Sequence, residues 1–411
     1  MWDGILRTAG RPNAPNARLT GMSKQLCGVL AVMGAALLCL CACAAPGGEP
    51  FSASSGGQSS SVPAQSASAS SSDAGSGAQP VSAGTVLPPD VVTDPSADPL
   101  TGLARPEDAP EGMRPLAVMV DDLQTALPQR GLQSADLVYE AVTEGGVTRL
   151  MAVFSDYTAM PQTGPVCFAR GEHVRLLLGL DALYLYAGAS SDAAALMEQY
   201  LPDARALDGQ DRAGALSLDT QRGQNMDSEY CWFTDGALFD AAAQRYALDT
   251  APEKTPRAVF QFVPYREEKR RLAGGSAGEV YLRFSSYANS TFSYDEETGQ
   301  YVKFQFGAPH LDENTGEAVT FDNLLVLFSS DGGQADGPGE WSGTGCYLCG
   351  GRYELIRWMQ PAPDAPLSIL TNDETLTLAQ INPGRSYVAV VERSMHPYFR
   401  IDGKAVLSAA G

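Results

Sequence analysis

Five side chains in one stretch of this sequence could do chemistry together: Asp121, Glu140, Glu144, Arg149 and Arg170. Arginine forks suit carboxylates and phosphates, which they bind through two parallel hydrogen bonds. Two nearby acids such as Asp121 and Glu144 could instead serve as acid and base on a glycosidic bond. A third use is structural, because the same residues would make ion pairs that fix a hairpin against its neighbours. Other chemistries find less support. Ser190 and Ser191 follow Gly188-Ala189 without a G-x-S-x-G elbow, and Cys167 has no base beside it in any motif. His173, His310 and His396 fall in a helix start, a turn and the tail. Asp331 and Asp336 flank a glycine-rich loop that lacks a full calcium ligand set, and Cys346-x-x-Cys349 has no second pair for zinc. No metal or cofactor is expected.

The elements that must hold the five residues are legible. Ser134–Asp156 reads as two apolar strands around Gly145-Gly146, whose freedom at positive φ suits a tight hairpin. Residues 116–120, LAVMV, form a continuous apolar run, a strand buried on both faces, and Asp121 ends it. An acid at a buried strand's end is where α/β sheets place ligands. A helix is predicted over about 172–180, a buried strand over 182–187 and a helix capped by Ser190 or Ser191 to Tyr200. A further helix starts at Thr234 or Asp235 and runs through Tyr246. The fold class is α+β. An α/β domain with a mixed sheet spans 98–252, and a β-rich domain, sandwich or half-barrel, spans 257–396. In the latter, strands are predicted over 259–263, 280–285, 291–294, 301–306, 324–328, 353–358 and 387–391. Glu297-Thr298-Gly299 and Asn314-Thr315-Gly316 mark turns. Aromatics from Tyr281 to Phe306 alternate, which predicts a core on one face. Residues 397–411 read as a weakly ordered tail.

The chain has 411 residues and a net charge of −20. Its first 43 residues look like a leader: Ser23-Lys24, an apolar run over 26–40, then Leu40-Cys41-Ala42-Cys43. That ending has the lipobox form of a bacterial lipoprotein, with Cys43 as the acylated residue and Met22 as the true start. The apolar run is too short to span a bilayer. Residues 1–43 hold four basic and one acidic side chain, a net of +3, which leaves −23 on the rest. Such a surface repels nucleic acid. Residues 44–97, rich in Ser, Ala, Gly and Pro, read as a flexible tether. Cys167, Cys231, Cys346 and Cys349 remain, and on a strand Cys346 and Cys349 point to opposite faces, which does not suit a disulfide.

Several segments in order carry a resemblance. They are 114–121 (RPLAVMVD), Gly131-Leu132 with 135–140 (ADLVYE), 144–149 (EGGVTR), Gly164-Pro165-Val166 and Ala169-Arg170. Tyr294-Asp295, Thr298-Gly299, Pro309-His310, Gly343-Thr344-Gly345 and Asn382-Pro383-Gly384 follow. Together these make the chain similar to the YerB-like family of exported Gram-positive lipoproteins of unknown function, over about residues 98–393. The resemblance implies two domains and no established reaction. Four places depart from the family pattern. Asp122 stands for an Asn, Cys167 for an Arg, Tyr186 for a His in Tyr-x-His-Ala-Gly, and the region 225–233 replaces Ala-Pro-His-Asn-Leu-Tyr. The expectation is a lipid-anchored lipoprotein on the outer face of the cell membrane, with a non-catalytic binding or accessory role. Its expected partners are the membrane, cell-wall polymer or wall-synthesis proteins. The alternatives are a glycan hydrolase using paired carboxylates and a solute-binding lipoprotein.

Overall fold

Alternation along the central strands decides the architecture. In β1 (Leu116–Asp121), Leu116, Val118 and Val120 enter one core while Ala117 and Met119 enter another. A strand apolar on both sides needs cover on both faces. The computed structural model describes residues 90–107, 109–110, 112–210, 214–252, 257–329, 341–375 and 377–407. In it, β2 (Leu137–Val142) and β3 (Thr148–Phe154) form the expected hairpin, with Gly145 and Gly146 at φ 75° and 76°. Antiparallel β3 pairs with β1, and β1 continues in parallel to β4 (Leu183–Tyr186) and β5 (Ala206–Asp208).

Helices α1 (Gly171–Leu178) and α2 (Ser191–Tyr200) cover one face through Val174, Leu177, Ala193 and Met197. On the other lies α3 (Gly236–Arg245), with Phe239 and Ala242 inward, capped by Asp235, which accepts from Leu238 N at 2.9 Å. A short hairpin of β6 (Ser217–Leu218) and β7 (Trp232–Phe233) precedes α3.

The second half is β-rich, and the chain as a whole is α+β with a mixed sheet in its first domain. β8 (Glu279–Arg283), β9 (Asn289–Asp295), β10 (Gln300–Gln305), β11 (Ala308–Pro309) and β12 (Thr320–Phe321) build a small sheet. β13 (Asn323–Ser329), β14 (Trp341–Cys349), β15 (Arg352–Gln360), β16 (Ser368–Thr371) and β17 (Ser386–Glu392) do not stay with it. They extend the first half's sheet, because β17 pairs in parallel with β2, Ser386 opposite Leu137. The result is one ten-stranded sheet in the order β16-β15-β14-β13-β17-β2-β3-β1-β4-β5. The small sheet lies on the α3 side of it. Phe292 and Phe321 close on Tyr387 of β17, with ring centroids 4.8 Å and 5.3 Å apart. The small sheet thus packs on the second half's own strands, as a sandwich, and also on β2 and β3 of the first half.

Other expectations are corrected. Residues 397–407 are not a loose tail: Phe399 is buried, and β18 (Arg400–Ile401) pairs with β8. The last part of the stretch read as tether, from residue 91, is packed on the fold. Val91 lies against the core, and Val92 N donates to Gln261 Oε1 at 2.9 Å. Residues 259–263 are no strand; Val259, Phe260 and Phe262 join the core on the α1 and α2 side of the large sheet, and Phe262 makes an isolated bridge to Ile381. On β10 the aromatic pattern misleads, for Lys303 and Gln305 point inward with Tyr301, while Phe304 is half-buried on the outer side. Cys346 and Cys349 face opposite cores, and all four described cysteines are buried and unbridged. The leader with Cys43, most of the tether and the loop holding Asp331 and Asp336 lie outside the described residues.

Candidate functional site

The carboxyl ends of β1, β4 and β5 run parallel and stop together. Asp121 ends β1, Ala187 follows β4 and Gly209 follows β5, and all three line one open cleft of about 540 Å³. That is the position open α/β sheets leave for ligands. Arg149 reaches it from the start of β3 because its Cα pairs with that of Asp121. Arg170 reaches it from the residue that caps α1. Cys167, Phe168, Leu216 and Trp232 supply the apolar wall, and Gln210, Ser228 and Glu229 the polar rim.

The charges in the cleft are unevenly satisfied. Arg149 Nη1 is 3.5 Å from Asp121 Oδ1, a long contact, and donates to Thr148 O at 3.2 Å. Its Nε is buried and has no hydrogen-bond partner among the described residues. A guanidinium offers five donors, so this one is short of acceptors. Arg170 is better served. Its Nε and Nη2 hold Glu144 bidentately at 2.8 Å and 2.6 Å, Nη1 donates to Ala169 O at 3.1 Å, and its guanidinium lies 5.4 Å from the Phe168 ring. Glu144 itself is two-thirds exposed.

Burial pushes the Asp121 carboxyl above its ordinary range, against the pull of Arg149 and of the Leu123 N–H; Asp122 and Glu229 push it further up. Burial also raises Glu144, yet the hydrogen bond from Arg170 and the charges of Arg170 and Arg149 leave it below the usual carboxylate range. The Cys167 thiol is driven up by burial and by Asp121. Under the cleft, His173 Nε2 donates to Arg149 O at 2.9 Å. Burial lowers that imidazole to about 4, and the charges of Arg149 and Arg170 act in the same direction.

Of the five residues singled out by type, Asp121, Arg149 and Arg170 line the cleft, and Glu144 joins them through Arg170. Glu140 does not. It points to the other face, where it is sealed between the sheets, with Tyr387 Oη at 2.6 Å and Lys303 Nζ at 3.5 Å. The reason is the pleat: Arg149 stands opposite Ala141, so Glu140, one residue earlier, faces away. The network around Glu140 continues. Lys303 Nζ donates to Gln305 Oε1 at 2.7 Å and to His310 Nδ1 at 3.2 Å, and His310 Nε2 donates to Gln129 Oε1 at 2.7 Å. Gln305 Nε2 and Thr148 Oγ1 both donate to Asp122 Oδ2, at 2.8 Å and 2.6 Å.

Residue types alone did not find Glu229, Phe168 or Trp232. A signal did exist for part of this wall. Cys167 and the segment 225–233, two of the four departures from the family pattern, both stand at the cleft.

Comparison with known proteins agrees with this architecture. The chain is 28% identical over 274 residues to the Bacillus subtilis (strain 168) protein described as "Putative lipoprotein YerB", covering 64% of this chain and 77% of that protein. It also matches the crystal structure of YerB protein from Bacillus subtilis with a TM-score of 0.59 at 23% identity, over 72% of this chain and 96% of that one. Residues 100–248 match the N-terminal domain, and residues 280–388 the C-terminal domain, of a family described as "Protein of unknown function (DUF3048)". With both domains present in order on a shared fold, the chain belongs to the DUF3048 family.

Proposed function

We propose that this protein is a lipid-anchored, extracytoplasmic binding protein that works at the cell envelope without catalysis, and that its cleft takes an anionic ligand. The address rests on the Leu40-Cys41-Ala42-Cys43 leader and on the relative's description as a lipoprotein. The ligand reading is carried by one observation: Arg149 lines an open cleft with fewer acceptors than donors. A partly buried cation whose Nε has no acceptor is costly, and a ligand carboxylate or phosphate would relieve it. Apart from Asp121, whose raised carboxyl suits acid chemistry, the groups that could react are poorly poised. Glu144 is held ionised by Arg170, the Cys167 thiol is kept protonated, and His173 is shut beneath the floor.

The test uses the full chain in detergent. 3-Phenylpropionate should raise its melting temperature, and Arg149→Gln should abolish the rise. A flat response to simple carboxylates and phosphates alike would end the reading. Release of soluble fragments from peptidoglycan, lost in Asp121→Asn, would replace it with the hydrolase. Fatty-acid labelling should vanish in Cys43→Ser.

A further inference from the structure

We infer that the ligand of this cleft is a short peptide bound as a zwitterion, its carboxylate on Arg149 and its ammonium between Asp121 and Glu229. The inference rests on the anion-binding reading above and narrows it. Both signs of charge are built into the cleft. Arg149 and Arg170 line it, and so do Asp121 and Glu229. A ligand carrying only negative charge would pair with Arg149 but also meet two carboxylates. One carrying only positive charge would meet two guanidinium groups. A molecule with opposite charges at its two ends matches Arg149 at one end and Asp121 and Glu229 at the other, while Arg170 keeps its pair with Glu144; like-charge juxtaposition weakens the binding of the others.

The two carboxylates line the same cleft. Glu229 is among the charges that push the Asp121 carboxyl up, and Arg149 alone, at 3.5 Å, does not cancel burial and neighbours. A cation between Asp121 and Glu229 would relieve that repulsion, and an ammonium is the cation a zwitterion brings. Phe168 and Trp232, 44% and 38% exposed, are large apolar side chains left at the surface of the same cleft. They offer faces for a ring or hydrocarbon held between the charged ends. The size fits as well: about 540 Å³ is in the range of drug-sized ligands, room for a dipeptide and more than a single amino acid fills.

Isothermal titration of the full chain in detergent micelles with three probes tests this: the dipeptide Ala-Phe, N-acetyl-Ala-Phe and Ala-Phe amide. Removal of either charge should weaken binding at least about tenfold, a difference of about 1.4 kcal/mol. Glu229→Gln, at an exposed position, should weaken Ala-Phe and, by removing a like charge, strengthen or leave unweakened its N-acetyl form, so that the two affinities converge. A loss of structure would weaken both alike. Equal binding of Ala-Phe and N-acetyl-Ala-Phe overturns the zwitterion and leaves the anion site standing. Equal binding of the amide overturns both. Failure of all three probes while 3-phenylpropionate still binds overturns the peptide alone.

Discussion

Two polar clusters share the strands of one hairpin and its neighbour, and they differ in almost every respect. Asp121 and Asp122 are adjacent, as are Thr148 and Arg149, yet each pair is divided between the faces of the large sheet. On one face Asp121, Arg149 and Arg170 open into a cleft. On the other, Asp122, Thr148, Glu140, Lys303, Gln305 and His310 are sealed under the small sheet, each 6% exposed or less. The sealed cluster is dense in hydrogen bonds, and only Asp122 Oδ1 among its carboxylate oxygens is buried without one. The open cluster has a guanidinium with one hydrogen bond and one long ion pair. A saturated buried network holds structure in place, whereas an under-satisfied cation at an open strand end is available to a ligand.

This contrast can be broken most forcefully at Lys303. Replacing it with Met strands Glu140 in a dry interior and should cost about 3–5 kcal/mol in urea unfolding; adding Glu140→Gln should return a good part of it. A cost below about 1 kcal/mol would mean that the sealed cluster does not hold its charge.

His173 tests the floor between cleft and core. Its imidazole is lowered to about 4 in the folded state from an ordinary 6.5. The unfolded chain therefore binds the extra proton in the window between, and stability falls as pH drops from 6.5 toward 4, by about 3 kcal/mol in all. Asp136 and Glu172, raised by burial to about 6 and about 7, act the opposite way over much of that window, gaining stability as pH falls. The His173 contribution is accordingly read as the difference between the parent and His173→Gln, and parallel pH profiles would refute it.

Tyr387→Phe removes a 2.6 Å hydrogen bond to buried Glu140 and should cost about 1.5–3 kcal/mol. The smallest effect belongs to the cleft. Glu144→Gln, which loosens an exposed pair, should move stability by no more than about 1 kcal/mol, measured on the same urea scale. A large loss there would make the open cluster structural and erase the distinction.

Much of the local architecture was legible. The Gly-Gly hairpin, the doubly buried run at 116–120 and a helix start at Thr234 or Asp235, the second of which is the cap, follow from spacing and turn chemistry, which are short-range properties. Glu140 was misplaced because a hairpin brings Glu140, Glu144 and Arg149 near in sequence, while the pleat sends Glu140 to the opposite face from Arg149. Lys303 was hidden by the aromatics on either side of it, whose alternation suggested an apolar inner face for β10.

By itself the sequence determined the central hairpin, the buried strands at 116–120 and 182–187, the three helices, the β-rich character of the second half, and three of the side chains that meet at the cleft. Those depend on periodicity and on strand ends, which neighbouring residues specify. Only the tertiary structure decided that β17 would join β2 across some 250 residues, making one sheet of two halves. It also decided that Glu229 and Trp232 would line the same cleft as Asp121 and Arg149. No local pattern encodes such pairings, because they are fixed by which long-range contacts bury both faces of the central strands at once.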